Sequence, residues 1–179
     1  LDEAKDTYLK GPGGNRDPRA IVGLTDIYRK QKNFDELFSV LMRGMQILPQ
    51  PDEDEELPAS LDEDSRRLIE QFRAAVKAVT TDMETMAGLV SYARGLQKTD
   101  PPKLEFLPAY LTGKLCIDAD RTDDAVEFYK LAISMQNNPP GQLYREISAH
   151  LLDKDKYQEA IEILDEAIQH PTLEQQKWM

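Results

Sequence analysis

The sequence is poor in cysteine and histidine, with one and two respectively, and it contains no long uninterrupted apolar run. A single thiol cannot form an internal disulfide, so the fold must rest on packing. No stretch approaches the ~18 apolar residues of a membrane span, and the start "LDEAKDTYLK" lacks the basic and apolar regions of a signal peptide. We therefore expect a soluble protein without a membrane span. The compartment stays open, with the cytoplasm favoured.

Basic residues are in the minority. The 179 residues include 22 Lys and Arg against 33 Asp and Glu, which gives a formal net charge of −11. Most of such a surface repels phosphates, so we expect no nucleic-acid partner. Solubility alone would also account for this charge, so the charge by itself does not identify a partner.

The residue patterns of common catalytic and metal sites are also missing. His150 and His170 belong to no HExxH or zinc-type cluster. The segment 118–124, "DADRTDD", begins like a calcium loop but lacks its glycine and its final glutamate. "GPGG" at 11–14 is followed by no Lys-Ser or Lys-Thr, and Cys116 lies in an apolar run typical of a core. We predict no enzymatic activity, no metal and no cofactor.

Clusters of glycine and proline divide the chain into segments of helical character. The clusters are "GPGGNRDP", "LPQP", "DPP" and "NNPPG", and between them apolar residues recur at spacings of three and four. Helix-start signals precede several segments: Asp17 before Pro18, Ser60 with Glu63, Thr81 with Glu84, and Thr122 before two aspartates. No alternation of β-branched residues is long enough for a strand. The sequence therefore predicts an all-α fold.

One spacing of small and large residues recurs along the chain. The series Ala125, Tyr129, Ala132 is repeated 35 positions later. The later copy and the looser earlier copies are Ala160, Leu164, Ala167; Gly88, Tyr92, Gly95; Leu37, Leu41, Gly44; and Ala4, Tyr8, Gly11. The one irregular step contains the proline-bounded acidic segment "PQPDEDEELPAS". Small residues at such positions let helices cross closely, so we expect Ala125, Ala132, Ala160 and Ala167 to be buried at helix crossings.

This pattern resembles the tetratricopeptide repeat family, whose repeats are pairs of antiparallel helices. One repeat has Gly113, Cys116 in the place of an aromatic residue, the Ala125 series and then Pro139. The residues that match in two other repeats are Tyr28, Phe34 and Pro49, and Tyr144, Ser148, Tyr157, Ala160 and Ala167. The resemblance implies a right-handed α-solenoid of antiparallel helix hairpins. Leu37 departs from the family pattern, as does the Gly88 repeat, whose first helix has no aromatic residue, so the first two repeats are degenerate.

On this basis the chain divides into four repeats with flanking segments. We expect the end of a preceding repeat and a loop at 1–16, repeat 1 at 18–50, an acidic insert at 51–60, repeat 2 at 61–100, repeat 3 at 104–139, repeat 4 at 141–171 and the start of a further repeat at 172–179. We accordingly expect an excised window of a longer array.

The resemblance implies a scaffold that binds a protein or peptide in a groove lined by the first helix of each repeat. The inward positions would be Arg19, Asp26, Arg29, Arg73, Lys77, Tyr110, Lys114, Gln142 and Arg145. Most are basic or form hydrogen bonds, which favours an acidic segment or a terminal carboxylate as ligand. Two alternatives stay open: a purely structural spacer of a larger enzyme or assembly, and a self-association segment.

The acidic insert has two interpretations of its own. The five acidic residues at 52–56 are typical of a solvated loop. Tethered beside a basic groove, they could instead occupy it as a pseudo-ligand, because a short tether gives a high effective concentration.

Overall fold

The computed structural model describes residues 17–48, 57–58 and 60–169, and every regular element among them is an α-helix. The eight helices are α1 (Pro18–Gln31), α2 (Phe34–Ile47), α3 (Glu63–Thr80), α4 (Met83–Gln97), α5 (Phe106–Asp118), α6 (Thr122–Ser134), α7 (Gly141–Asp153) and α8 (Tyr157–Gln169). The predicted all-α class is confirmed. The segments 1–16 and 172–179, and the acidic insert apart from residues 57, 58 and 60, lie outside the described residues.

The start of α1 follows from its sequence signal. The side chain of Asp17 accepts a hydrogen bond from the Arg19 backbone N–H at 2.9 Å. Pro18 occupies the first helical position, where its missing N–H leaves no intrahelical bond unmade. This predicted cap is confirmed.

At the starts of α3 and α4, a neighbouring aspartate is the cap in place of the predicted hydroxyl. Asp62, and not Ser60, accepts from the Ser65 backbone N–H at 2.7 Å. Asp82, and not Thr81, accepts from the backbone N–H groups of Glu84 and Thr85 at 3.1 and 3.2 Å. A carboxylate accepts more strongly than a hydroxyl and interacts favourably with the helix dipole, which explains both shifts. α6 begins at Thr122 itself, without a side-chain cap.

Three of the turns between consecutive helices have the same backbone geometry. Each contains a non-glycine residue in the left-handed region: Lys32 (φ 53°), Asp120 (φ 56°) and Asp155 (φ 57°). In each, the next residue's N–H donates to the carbonyl five positions earlier, as in a Schellman motif: Asn33 to Tyr28, Arg121 to Cys116, and Lys156 to Leu151, at 3.1, 2.8 and 2.9 Å. The last two turns lie 35 positions apart, like the alanine series.

The chain forms two compact units, Leu1–Tyr92 and Ala93–Met179. In the N-terminal unit α1 packs against α2 and against α3. α2 meets α4 through the rings of Phe38 and Tyr92, whose centroids are 5.4 Å apart, and through the Tyr92 hydroxyl, which donates to Asp35 at 2.5 Å. The fully buried Phe72 of α3 lies beside Gly44 of α2.

In the C-terminal unit α5 packs against α6, α6 against α7, and α7 against α8. The four alanines of the recurring series, Ala125, Ala132, Ala160 and Ala167, are all buried. Their predicted burial is therefore confirmed. The end of α4 also belongs to this unit, and its Arg94 pairs with Asp124 at 2.6 Å and with Glu127, both on α6.

Glycines of the recurring pattern differ in how closely they are packed. A Cβ atom placed on Gly113 would lie 2.7 Å from Cδ2 of Tyr129, and one on Gly88 would lie 2.3 Å from Cζ of Phe34. A Cβ atom on Gly95 would meet nothing within 4 Å. Gly113 and Gly88 therefore stand at close helix contacts, as the pattern predicts, whereas Gly95 faces open space.

Candidate functional site

A half-buried carboxylate, Glu146 of α7, joins three helices of the C-terminal unit. It accepts hydrogen bonds from the Tyr110 hydroxyl of α5 at 3.0 and 3.1 Å and from the Tyr129 hydroxyl of α6 at 2.7 Å. The Gln142 side-chain amide, one turn away on α7, donates to it at 2.6 Å. Two of the predicted groove residues, Tyr110 and Gln142, are thus brought together around an acid.

Burial controls the chemistry of this cluster. Tyr129 is fully buried, and loss of solvation together with the charge of Glu146 raises its pKa well above the ordinary tyrosine value. Its ring stands edge-on to that of Tyr110, with centroids 5.7 Å apart. The hydroxyl therefore stays protonated and acts as a hydrogen-bond donor that holds Glu146 in place.

Glu146 was missed by sequence reasoning. Its partners on α5 and α6 lie 36 and 17 positions away, so no local pattern indicates them. The only signal was its spacing of four from Gln142, which suits a hydrogen bond along one helix face.

Two predicted groove cations flank this cluster. Lys114 is half-buried on α5, with its ammonium nitrogen 5.9 Å from the centroid of the Tyr110 ring. Arg145 is exposed on α7, next to Glu146. Tyr110, Lys114, Gln142 and Arg145 therefore lie on α5 and α7, the predicted first helices of repeats 3 and 4.

The predicted residues of the N-terminal unit lie on α1 and α3. Arg29 contacts two acids, Asp26 at 3.0 Å and Asp82 at 3.8 Å, which offset its charge locally. Asp26 also pairs with Lys30 at 2.6 Å, and these bonds lower its pKa below the ordinary aspartate value, the Lys30 hydrogen bond having the largest effect.

The other three predicted residues of that unit are the cations Arg19, Arg73 and Lys77. Arg19 is exposed near the start of α1, and its guanidinium reaches Asp64 of α3 only at 4.0 Å. Arg73 is half-buried and Lys77 is exposed, and the two lie one helical turn apart on α3. Because α1 packs against α3, these side chains lie on two neighbouring helices.

Residues that could support other chemistry are few in the described part of the chain. Cys116 is buried in α5, and burial raises the pKa of its thiol to about 12, so at neutral pH it is a protonated core residue. No group of three metal-ligating side chains occurs among the described residues. None of the eight described helices has the length and apolarity needed to cross a bilayer.

In comparisons with known proteins, no family model, curated protein or solved structure matches this chain. The resemblance to tetratricopeptide repeats therefore stays a prediction made from the residue pattern.

Proposed function

We propose that this chain is a protein-binding scaffold built as a right-handed solenoid of the tetratricopeptide type. The eight helices fall two into each of the four predicted repeats. The observation that carries the proposal is which helices touch within each unit. Neighbouring predicted repeats touch through their first helices, through their second helices and, between α6 and α7, through a second and a first helix.

These contacts occur in both units. Among first helices, α1 packs against α3, and Tyr110 of α5 bonds to Glu146 of α7. Among second helices, Phe38 of α2 meets Tyr92 of α4. Lys156, which directly precedes α8, bonds to Asp123 of α6 at 2.7 Å. Stacked hairpins repeat this arrangement from one repeat to the next, and they expose a surface formed by the first helices.

We infer that this surface binds an acidic segment of another protein. Each unit has cations on its own first helices: Lys114 and Arg145 in the C-terminal unit, and Arg73 and Lys77 in the N-terminal unit. Glu146 accepts the Tyr110 hydroxyl hydrogen and one of the two N–H groups of the Gln142 amide. The cations therefore contact the ligand, while the tyrosine cluster fixes the spacing of α5 and α7 beneath it. Such charge pairs at an interface set selectivity and association rate more than total affinity.

A charge-reversal experiment on the intact chain tests this function. The probe is a labelled peptide with the sequence of residues 49–60, "PQPDEDEELPAS", followed by fluorescence anisotropy at low salt. Lys114→Glu with Arg145→Glu should weaken binding about fivefold or more, since exposed charge pairs contribute about 0.2–1 kcal/mol each. The matched control reverses Lys98 and Lys130, two exposed lysines, of which Lys130 lies on the second helix α6.

The outcome separates the scaffold from its alternatives. Binding that weakens in the groove variant only, and that fades as salt shortens the Debye length from ~10 Å at 0.1 M to ~3 Å at 1 M, supports the proposal. Equal loss in both variants would mean non-specific attraction. No binding by the unaltered chain, nor by the chain with residues 52–56 deleted so that the insert cannot compete, would leave the structural spacer as the better interpretation.

A further inference from the structure

The last described helix, α8, exposes a stripe of large apolar side chains. Tyr157, Ile161, Leu164 and Ile168 are 57%, 51%, 41% and 54% exposed. Their spacings of four, three and four place them on one face of a helix. This stripe is separate from the buried face of Ala160, Ile163 and Ala167, so α8 is apolar on two adjoining sides.

The corresponding face of α6 shows what fits such a stripe. The 35-residue step from Ala125 to Ala160 also takes Tyr129 to Leu164 and Ile133 to Ile168. Tyr129 and Ile133 are buried, at 0% and 4% exposure, in a helix that packs against α7 as well as α5. Among the described residues α7 is the only helix that packs closely on α8. The shape that completes the α8 stripe is therefore another α-helix.

Charge beside the stripe restricts the kind of helix. α8 has four acidic residues, Glu159, Glu162, Asp165 and Glu166, and no lysine or arginine. At about 100° per residue, Asp165 and Glu162 follow the stripe on the side away from the buried alanines. A second α8 would bring these carboxylates against their own copies, which opposes self-pairing through this face.

We propose that the α8 stripe is a docking surface for an amphipathic α-helix with basic flanks, supplied by a partner protein. The apolar face of that helix covers Tyr157, Ile161, Leu164 and Ile168, and its lysines or arginines meet Glu162 and Asp165. This surface is distinct from the first-helix groove, and it prefers a ligand of the opposite charge. The same chain thus binds an acidic segment and a basic helix at two places.

The test uses two labelled peptides of one design, with leucines at helical spacing and either lysine or glutamate at the other positions. Anisotropy with the intact chain should show binding of the lysine peptide and at least about tenfold weaker binding of the glutamate peptide. Ile161→Ser with Ile168→Ser should weaken binding of the lysine peptide by about tenfold or more, because it removes two apolar anchors. Leu152→Ser, at another exposed leucine of the unit, is the control.

Three results would overturn the inference. The first is equal binding of both peptides, or binding indifferent to the Ile161 and Ile168 changes. The second is binding that appears only after residues 171–179 are deleted, which would make that segment the occupant. The third is a doubled mass in sedimentation that the Ile161 and Ile168 changes abolish, which would make a second copy the occupant. The Lys114 and Arg145 reversals should leave this binding undiminished, so the two proposals can fail separately.

Discussion

Replacing glycine by alanine should stabilise the protein at one position of the C-terminal unit, Gly95, but not at another, Gly113. Gly113→Ala places a methyl group 2.7 and 2.9 Å from Cδ2 and Cε2 of the Tyr129 ring. That ring cannot easily move, because Tyr129 is fully buried and its hydroxyl is bonded to Glu146 at 2.7 Å. Gly95→Ala places the same methyl group where nothing lies within 4 Å.

The magnitudes follow from two competing terms. In a helix interior, alanine is more favourable than glycine by about 0.8–1 kcal/mol. Overpacking of a closed site costs about 1–3 kcal/mol. Gly95→Ala should therefore stabilise the protein by about 0.5–1 kcal/mol, allowing for fraying in the last turn of α4. In Gly113→Ala the cost of overpacking should cancel the helix gain or exceed it, which lowers the free energy of unfolding by up to ~2 kcal/mol. The difference between the two variants therefore measures the cost of overpacking.

Urea unfolding followed by circular dichroism at 222 nm, a wavelength that reports helix, gives both free energies, and thermal melts should differ by several degrees. A Tyr129→Leu background removes the ring and should abolish most of the Gly113→Ala penalty, while leaving the effect of Gly95→Ala unchanged. Equal stabilisation by the two alanines would refute the close contact of α5 with α6 at Gly113.

Three further perturbations test other parts of the fold. Glu146→Ala leaves the buried Tyr129 hydroxyl without its acceptor and should cost about 1–3 kcal/mol in urea unfolding; Tyr129→Phe should then cost less in that variant than in the unaltered chain. Burial lowers the pKa of His150 below 6.5, so its contribution to stability is complete above pH 6.5 and is lost as the pH falls through the folded-state value. His150→Gln should flatten melting temperatures across that window, and an unchanged slope would contradict this. Lys32→Gly removes the steric cost of a left-handed conformation and should raise the free energy of unfolding by about 1 kcal/mol. The loss of the exposed ion pair between Lys32 and Glu84 reduces this gain slightly. A lower midpoint of urea unfolding would contradict the left-handed turn.

The features that sequence reasoning predicted are those imposed by short-range geometry. Helices cross closely only where side chains are small, so the spacing of Ala125, Ala132 and Ala160 was enough to predict their burial. Asp17 with Pro18 likewise indicated a helix start, because the cap and the fixed φ act within three residues. Gly95 matches the same spacing but faces open space, because a spacing alone does not say whether a second helix lies opposite.

The polar details depend on packing and could not be inferred in the same way. Glu146 receives donors from three helices, and their meeting is decided by how α5, α6 and α7 stack. The three repeated turns could not be predicted from the sequence for a different reason. Their left-handed residues are Lys32, Asp120 and Asp155, whereas glycine is the usual sequence signal for this conformation. The basic positions were recognisable on α1, but the pairing of Arg29 with Asp82 joins residues 53 positions apart.

Because Cys116 is buried, the rate at which its thiol is modified reports local opening of the fold. Because it is the chain's single thiol and lies at 0% exposure, a thiol reagent can modify it only while α5 separates from its neighbours. When reclosing is faster than modification, the labelling rate divided by that of the unfolded chain gives the population of the opened state. Within the C-terminal unit α5 packs against α6, whereas α8 packs closely on α7 among the described residues, so this rate should respond to substitutions in α6 more than to equally destabilising ones in α8. The labelling rate of Cys116 thus shows whether a substitution affects only the helices next to it or more distant helices as well.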